Sequence, residues 1–195
     1  MKLVIIKYNA GNIRSVSFAL ERLGVDFQLT DELEEIMKAD KVIFPGVGEA
    51  GTTMKYLRER KLDKVIAELN QPILGICLGM QLMCRYSEEN NTECLGIFDE
   101  VVKRFDSASG LKVPHMGWNQ LININDWIDP SVEGEYMYFV HSYFVPVSTF
   151  TVATTDYAGQ FSAAMRKRNF YAVQFHPEKS ATPGELILKS FLNHT

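Results

Sequence analysis

Pro72-Ile73-Leu74-Gly75-Ile76-Cys77-Leu78-Gly79-Met80-Gln81 decides the fold of this chain. The apolar run up to Cys77 is short and bounded by a proline, as expected for a buried strand. Past Cys77 the periodicity becomes helical, with Leu78, Gln81, Leu82 and Arg85 on the new element. The glycines at Gly75 and Gly79 bracket the junction. They suit a tight turn on which side chains two positions to either side of Cys77 would collide with a neighbouring strand.

Working towards the N-terminus, the same strand-then-helix alternation recurs. Leu3-Val4-Ile5-Ile6 reads as a strand, and a turn over Asn9-Ala10-Gly11-Asn12 leads into a helix with Ile13, Val16, Ala19, Leu20 and Leu23 on one face. Asn12 is expected to cap that helix and Gly24 to end it. Residues 25–29 follow as a short strand and 32–39 as a helix. Lys41-Val42-Ile43-Phe44 reads as a buried strand stopping at Pro45-Gly46-Val47-Gly48, and residues 49–70 as helix in two pieces. Repeated βα units predict an α/β fold with a largely parallel sheet.

Beyond about Gly96 the pattern changes to strands and turns, at 101–105, 119–124, 136–145, 151–155 and 171–175, which add antiparallel strands to that layer. Residues 185–192 form a closing helix introduced by Pro183-Gly184. No composition break divides the 195 residues, so a single domain over 1–195 is expected.

A hydrophobic fraction of 46% with 23% charged residues is that of an ordinary globular protein, and a formal net charge of -4 argues against a nucleic-acid surface. Arg166-Lys167-Arg168 reads as a solvated turn. Charge or glycine interrupts every apolar run before it reaches spanning length, and the first residues read as a strand instead of a leader, which leads to the expectation of a cytoplasmic protein. Cys77, Cys84 and Cys94 are odd in number and lack zinc-site spacing, so neither a disulfide framework nor a metal site is expected.

Only Cys77 has surroundings that suggest chemistry. Gly75-Ile76-Cys77-Leu78-Gly79 is G-x-C-x-G between a strand and a helix, the cysteine form of a nucleophile elbow. Its place at a helix N-terminus, where unpaired N–H groups and the helix dipole converge, favours a thiolate. The plain alternative is a buried cysteine in a βα turn, which a nearby base would argue against. Of the four histidines, His176 alone has a carboxylate two residues away, in His176-Pro177-Glu178. In an extended chain, positions i and i+2 share a side, so Glu178 can hold one imidazole nitrogen while the other faces Cys77.

Acyl transfer through a thioester also needs donors for a tetrahedral oxyanion. The N–H of Leu78 is one candidate, and Gly46-Val47-Gly48 is the best source of a second, through Val47. The Gly46–Val47 peptide can face either way, because glycine permits both orientations while a β-branched residue resists positive φ. The hole is therefore expected to be incompletely formed in the isolated chain and set by a partner.

Together, Pro45-Gly46-Val47-Gly48, Gly75-Ile76-Cys77-Leu78-Gly79-Met80-Gln81 and Phe175-His176-Pro177-Glu178 resemble the class I (triad) glutamine amidotransferases, and the resemblance runs nearly end to end. Tyr8-Asn9-Ala10-Gly11-Asn12, Pro114-His115-Met116-Gly117-Trp118-Asn119 and Phe139-Val140-His141-Ser142-Tyr143 narrow it. Within the family they resemble the glutaminase subunits of the imidazole glycerol phosphate synthases of histidine biosynthesis.

The resemblance implies a three-layer α/β sandwich with Cys77, His176 and Glu178 as nucleophile, base and orienter. It implies L-glutamine as substrate, held by Gly48, Gln81, Glu89, Ser142 and Tyr143, and no metal or organic cofactor. The partner would be a (β/α)8-barrel cyclase in a heterodimer, with Asn12, Met116, Trp118 and Lys179 near the interface. The alternatives are the same glutaminase serving an anthranilate, guanylate or surface-sugar synthase, and a catalytically silent binding subunit.

Overall fold

The computed structural model describes residues 1–8, 12–106 and 110–194. Its first half is a run of βα units: β1 (Leu3–Ile6), α1 (Ile13–Arg22), β2 (Phe27–Thr30), α2 (Leu33–Met37), β3 (Lys41–Gly46), α3 (Ala50–Glu59), α4 (Leu62–Glu68), β4 (Ile73–Cys77) and α5 (Leu78–Met83). After these come β5 (Cys84–Ser87), β6 (Thr92–Glu93), β7 (Phe98–Arg104), β8 (His115–Gln120), β9 (Tyr136–His141) and β10 (Tyr143–Phe144). The chain closes with β11 (Thr151–Asp156), β12 (Gln160–Lys167), β13 (Phe170–Val173) and α6 (Ala181–Asn193).

The main sheet has the order β11-β12-β13-β4-β3-β1-β2. Strands β13, β4, β3, β1 and β2 are parallel, and β12 and β11 extend that sheet antiparallel at one edge. Successive residues of β1 alternate between two apolar layers. Leu3 and Ile5 join α1, α6 and the β8–β9 ribbon on one side, whereas Val4 and Ile6 join α3, α4, α5 and β7 on the other. Burial on both faces is why these strands are uninterrupted apolar runs. The result is the expected layered α/β sandwich with a largely parallel sheet and added antiparallel strands.

Several expected elements differ in detail. Asn12 stands at the N-terminus of α1 with φ 73, and its side chain makes no capping bond; the amide is used elsewhere. Residues 9–11 of the expected first turn lie outside the described residues. Gly24, at φ 68, does end α1, with its N–H on Glu21 O and that of Val25 on Leu20 O. The helix after Cys77 stops at Met83, and Arg85 lies on β5, because Cys84, Tyr86 and Ser87 pair with Phe98, Val101 and Val102. The strand expected at 119–124 is displaced to β8. The basic triplet is not all turn: Arg166 and Lys167 end β12, and only Arg168, at φ 56, turns towards β13. The closing helix begins at Ala181, ahead of Pro183.

His115 and His141 face each other across the β8–β9 ribbon. His141 Nδ1–H donates to Tyr143 O at 2.7 Å, so its Nε2 must accept, here from His115 Nδ1–H at 3.1 Å. His115 stacks on Tyr157 with ring centroids 4.0 Å apart. Burial pushes the His115 imidazole down to about 4. It pushes that of His141 down to about 3, against the Tyr143 carbonyl, which raises it, and with smaller help from repulsion by His115 and His176.

An unfolded histidine titrates near its ordinary value of about 6.5, so on acidification below that point the unfolded chain binds protons that the folded chain refuses. This stability is complete above about pH 6.5 and is lost as the pH falls towards 4. We expect the urea midpoint to drop over this window while imidazole NMR shows both residues still neutral at about pH 5. A flat urea midpoint would contradict the buried neutral pair.

The elbow yields a second expectation. A Cβ on Gly79 would lie 2.1 Å from the Phe44 carbonyl oxygen, whereas one on Gly24 would meet nothing within 4 Å. Gly79→Ala should cost about 3 kcal/mol or more by overpacking, and Gly24→Ala about 1 kcal/mol through its positive φ alone, both measured by urea unfolding.

Candidate active site

Residues Gly46 and Cys77 are register partners at the ends of β3 and β4, and Val173 pairs with Ile76 on the other side. Three neighbouring parallel strands thus release their following loops at one carboxyl edge, the place where open α/β sheets bind ligands. The loop after β3 carries Val47 and Gly48, the turn after β4 carries Cys77, and the segment after β13 carries His176. All four line one cavity of about 330 Å³ with Gln81, Glu89, Pro114, Val140, His141, Ser142 and Tyr143.

Cys77 has φ 54 and ψ -108, a strained conformation for a residue with a side chain. The strain persists because both sides of the turn are clamped. Gly75 would meet the Gly79 backbone at 2.9 Å if it carried a Cβ, and Gly79 lies against Phe44. Beside it, the buried Tyr8 hydroxyl donates to Pro45 O and fixes the end of β3.

The His176 backbone N–H donates to Tyr138 O at 2.9 Å, and its carbonyl accepts from the Ser180 hydroxyl at 2.7 Å. Its Nδ1 lies 2.7 Å from Glu178 Oε1, with both side chains buried. The route to this contact differs from a simple extended pair. His176 is extended, but Pro177–Lys179 form one turn of 3₁₀-helix that folds Glu178 back onto the ring. Pro177 favours this, since its fixed φ suits the first position of a helical turn.

The Asn12 amide also donates to Glu178 Oε1. An αL residue at the start of α1 therefore reaches the carboxylate instead of capping the helix. Burial alone would lower the proton affinity of His176, but the charges of Cys77 and Glu178 outweigh it, so the imidazole holds a proton more tightly than usual. Its Nε2 is buried with no hydrogen-bond partner among the described residues.

The other predicted residues fall into two groups. Gln81, Glu89, Ser142 and Tyr143 share the cavity with Gly48. Gln81 Nε2 donates to Tyr143 O and to Gln174 Oε1, both at 2.9 Å. Glu89 Oε2 accepts from Ala50 N–H at 2.8 Å, and burial raises its carboxyl above the ordinary range, helped by the charge of Glu49 against that N–H. Leu78 opens α5 with its side chain in the core.

Met116 and Trp118 lie outside the cavity, on the open face of the ribbon, 67% and 54% exposed. Near them Lys179 Nζ is 5.8 Å from the Tyr138 ring centroid. Sequence reasoning did not select Gln174, Ser180 or His141, and it gave Asn12 no role beside Glu178. No local pattern marks these residues. Among the described residues no three His, Cys, Asp or Glu side chains are grouped to hold a metal ion, and no helix is long and apolar enough to cross a membrane.

Residues 4–195 match the family model for glutamine amidotransferase class-I. The chain is 61% identical to the imidazole glycerol phosphate synthase subunit HisH of Bacteroides fragilis strain YCH46, over 98% of this chain and 99% of that one. It is 57% identical to the protein of the same name in Bacteroides thetaiotaomicron, over 99% and 100%. Among solved structures, one described as a glutamine amidotransferase superposes with a TM-score of 0.75 at 21% identity, covering 97% of this chain and 96% of that one. A glutamine amidotransferase from Thermotoga maritima gives 0.65 at 16%, covering 98% and 82%; both show the shared fold. With the family model spanning the sheet, the elbow and the His176 segment alike, this chain belongs to the class I glutamine amidotransferases.

Proposed function

We propose that this chain is the glutaminase subunit of an imidazole glycerol phosphate synthase and that its cavity hydrolyses L-glutamine. The observation that carries the reading is the convergence of Val47, Cys77 and His176 on one cavity with Glu178 bonded to the far side of the imidazole. The full-length identity to relatives bearing the subunit name supports the choice of synthase.

Cys77 loses its proton to His176 Nε2 and attacks the carboxamide carbon of glutamine. The tetrahedral oxyanion is received by the N–H groups of Leu78 and Val47. Its collapse breaks the C–N bond as His176 returns the proton to the departing nitrogen, leaving ammonia and a thioester. Water, deprotonated by His176, then attacks the thioester; glutamate leaves and the sulfur takes the proton back. Glu178 keeps the imidazole in one orientation and balances its charge in the protonated state.

The acidic Glu89 and the amide of Gln81 suit the α-amino end of glutamine, with Gly48, Ser142 and Tyr143 holding its backbone. The exposed Met116 and Trp118, with Asn12 and Lys179, form the face for a (β/α)8-barrel cyclase. That partner uses the ammonia to make imidazole glycerol phosphate and aminoimidazole carboxamide ribonucleotide. Three free cysteines fit a reducing, cytoplasmic setting.

Cys77→Ala should cut glutamate release in the complex by roughly a thousandfold or more. Release at the parental rate would sink the triad. Copurification with a barrel cyclase is expected; recovery instead with an anthranilate or sugar-modifying enzyme would reassign the synthase. Because the Gly46–Val47 peptide can present either face, the isolated chain should hydrolyse glutamine about a hundredfold more slowly than the complex with acceptor substrate, the usual cost of one missing oxyanion donor. Equal rates would show that the hole is already formed.

A further inference from the structure

Gln174 is fully buried, two residues before His176, and nothing in the mechanism above uses it. Its backbone N–H is tied to Ala163 O at 2.8 Å, which fixes where its side chain starts. The orientation of its carboxamide follows from a single peptide carbonyl. Tyr143 O can only accept, so the Gln81 atom 2.9 Å from it is the NH2 nitrogen. That nitrogen can only donate, so the Gln174 atom 2.9 Å from it is the carbonyl oxygen. The NH2 of Gln174 is left facing Cys77, with Nε2 3.7 Å from Sγ. His141 Nδ1–H takes the second lone pair of Tyr143 O at 2.7 Å, so the anchor is saturated and neither amide gains a partner by turning over.

We propose that Gln174 is a positioning residue for the nucleophile, holding a carboxamide N–H on the Cys77 sulfur and thereby favouring the thiolate. This rests on the reading of Cys77 as the nucleophile. As a donor the protonated thiol makes a weak contact to Val140 O at 4.0 Å, beside its pairing with His176. When its proton moves to His176 Nε2, that contact is lost and the Gln174 N–H stays. The remaining bond becomes charge-assisted, and hence stronger, at the moment the sulfur becomes nucleophilic. The proton goes from Sγ to Nε2, and Gln174 itself gives up and gains none.

A buried glutamine could serve packing alone, in which case its loss would lower stability but leave the ionisation of Cys77 alone. The test is the pH dependence of iodoacetamide alkylation of Cys77 in the full chain, comparing the parent with Gln174→Met and Gln174→Leu. Burial raises the thiol of Cys84 well above its ordinary value and that of Cys94 to about 12, so Cys77 is the reactive site to follow by peptide mass. The titratable groups around Cys77 are unchanged in these variants: His176 with Glu178 behind it, Tyr8 at the end of β1, His141 on β9 and Glu89 on the cavity wall.

The alkylation midpoint should rise by about one pH unit, with kcat for glutamine hydrolysis in the complex down about tenfold, as for loss of one hydrogen bond to a charged group. Folded variants with the parental midpoint would overturn the proposal. The unsubstituted protein supplies a second measurement. The side-chain amide protons of Gln174 should shift in NMR as Cys77 titrates, and their indifference would overturn the proposal even if both variants misfold. Failure of the underlying reading looks different: Cys77→Ala would then still release glutamate. Loss of release in Cys77→Ala alongside unchanged Gln174 variants would remove the role of Gln174 alone.

Discussion

The contact between Gly79 and the Phe44 carbonyl is the constraint on which the rest of the structure depends. A Cβ at Gly79 would sit 2.1 Å from that oxygen, so the first turn of α5 rests directly on the backbone of β3. Such an approach leaves no room for an ordinary βα loop between β4 and α5. The chain must reverse on one residue, and that residue, Cys77, takes φ 54. Strain at the cysteine is thus imposed by backbone packing on either side, and the thiol is set at the carboxyl edge of the sheet, where loops from β3 and β13 also end.

Around that point the polar groups form a chain in which each member fixes the next. Asn119 Nδ2 lies 3.4 Å from His115 Nε2, His115 donates to His141, and His141 donates to the Tyr143 carbonyl, which also receives Gln81 and so sets Gln174 against the sulfur. Keeping both histidines neutral is what makes the chain directional, because a protonated imidazole would have two donors and no acceptor. Low dielectric surroundings make a satisfied network rigid and an unsatisfied one costly. On the other side of Cys77, His176 differs. Its Nδ1 is held by Glu178, and the charges of Cys77 and Glu178 on its two sides make the buried imidazole hold a proton more tightly than usual.

What could be read along the chain was what depends on nearest neighbours in sequence. β1, β3 and β4 are buried on both faces and announce themselves as apolar runs, and G-x-C-x-G marks the elbow because only glycine tolerates the contacts at Gly75 and Gly79. β12 was not legible: Gln160-Phe161-Ser162-Ala163-Ala164-Met165-Arg166-Lys167 has small and polar residues in place of β-branched ones, and it is a strand because β11 and β13 pair with it. Cys84 to Ser87 continue a helical periodicity, yet pairing with β7 makes them a strand. In both places tertiary hydrogen bonding overrode local propensity.

The sequence by itself determined the layered α/β architecture, the turn that presents Cys77, and the pairing of His176 with Glu178, since each rests on residue spacing of a few positions. Tertiary structure alone decided that Asn12 bonds Glu178 instead of capping its helix, and that Met116 and Trp118 face outward from the ribbon. It alone aimed the Gln174 amide at the sulfur. These depend on groups from 20 to 166 positions apart, such as Trp118 and Tyr138 or Asn12 and Glu178, whose meeting is set by strand order and packing and leaves no local trace in the chain.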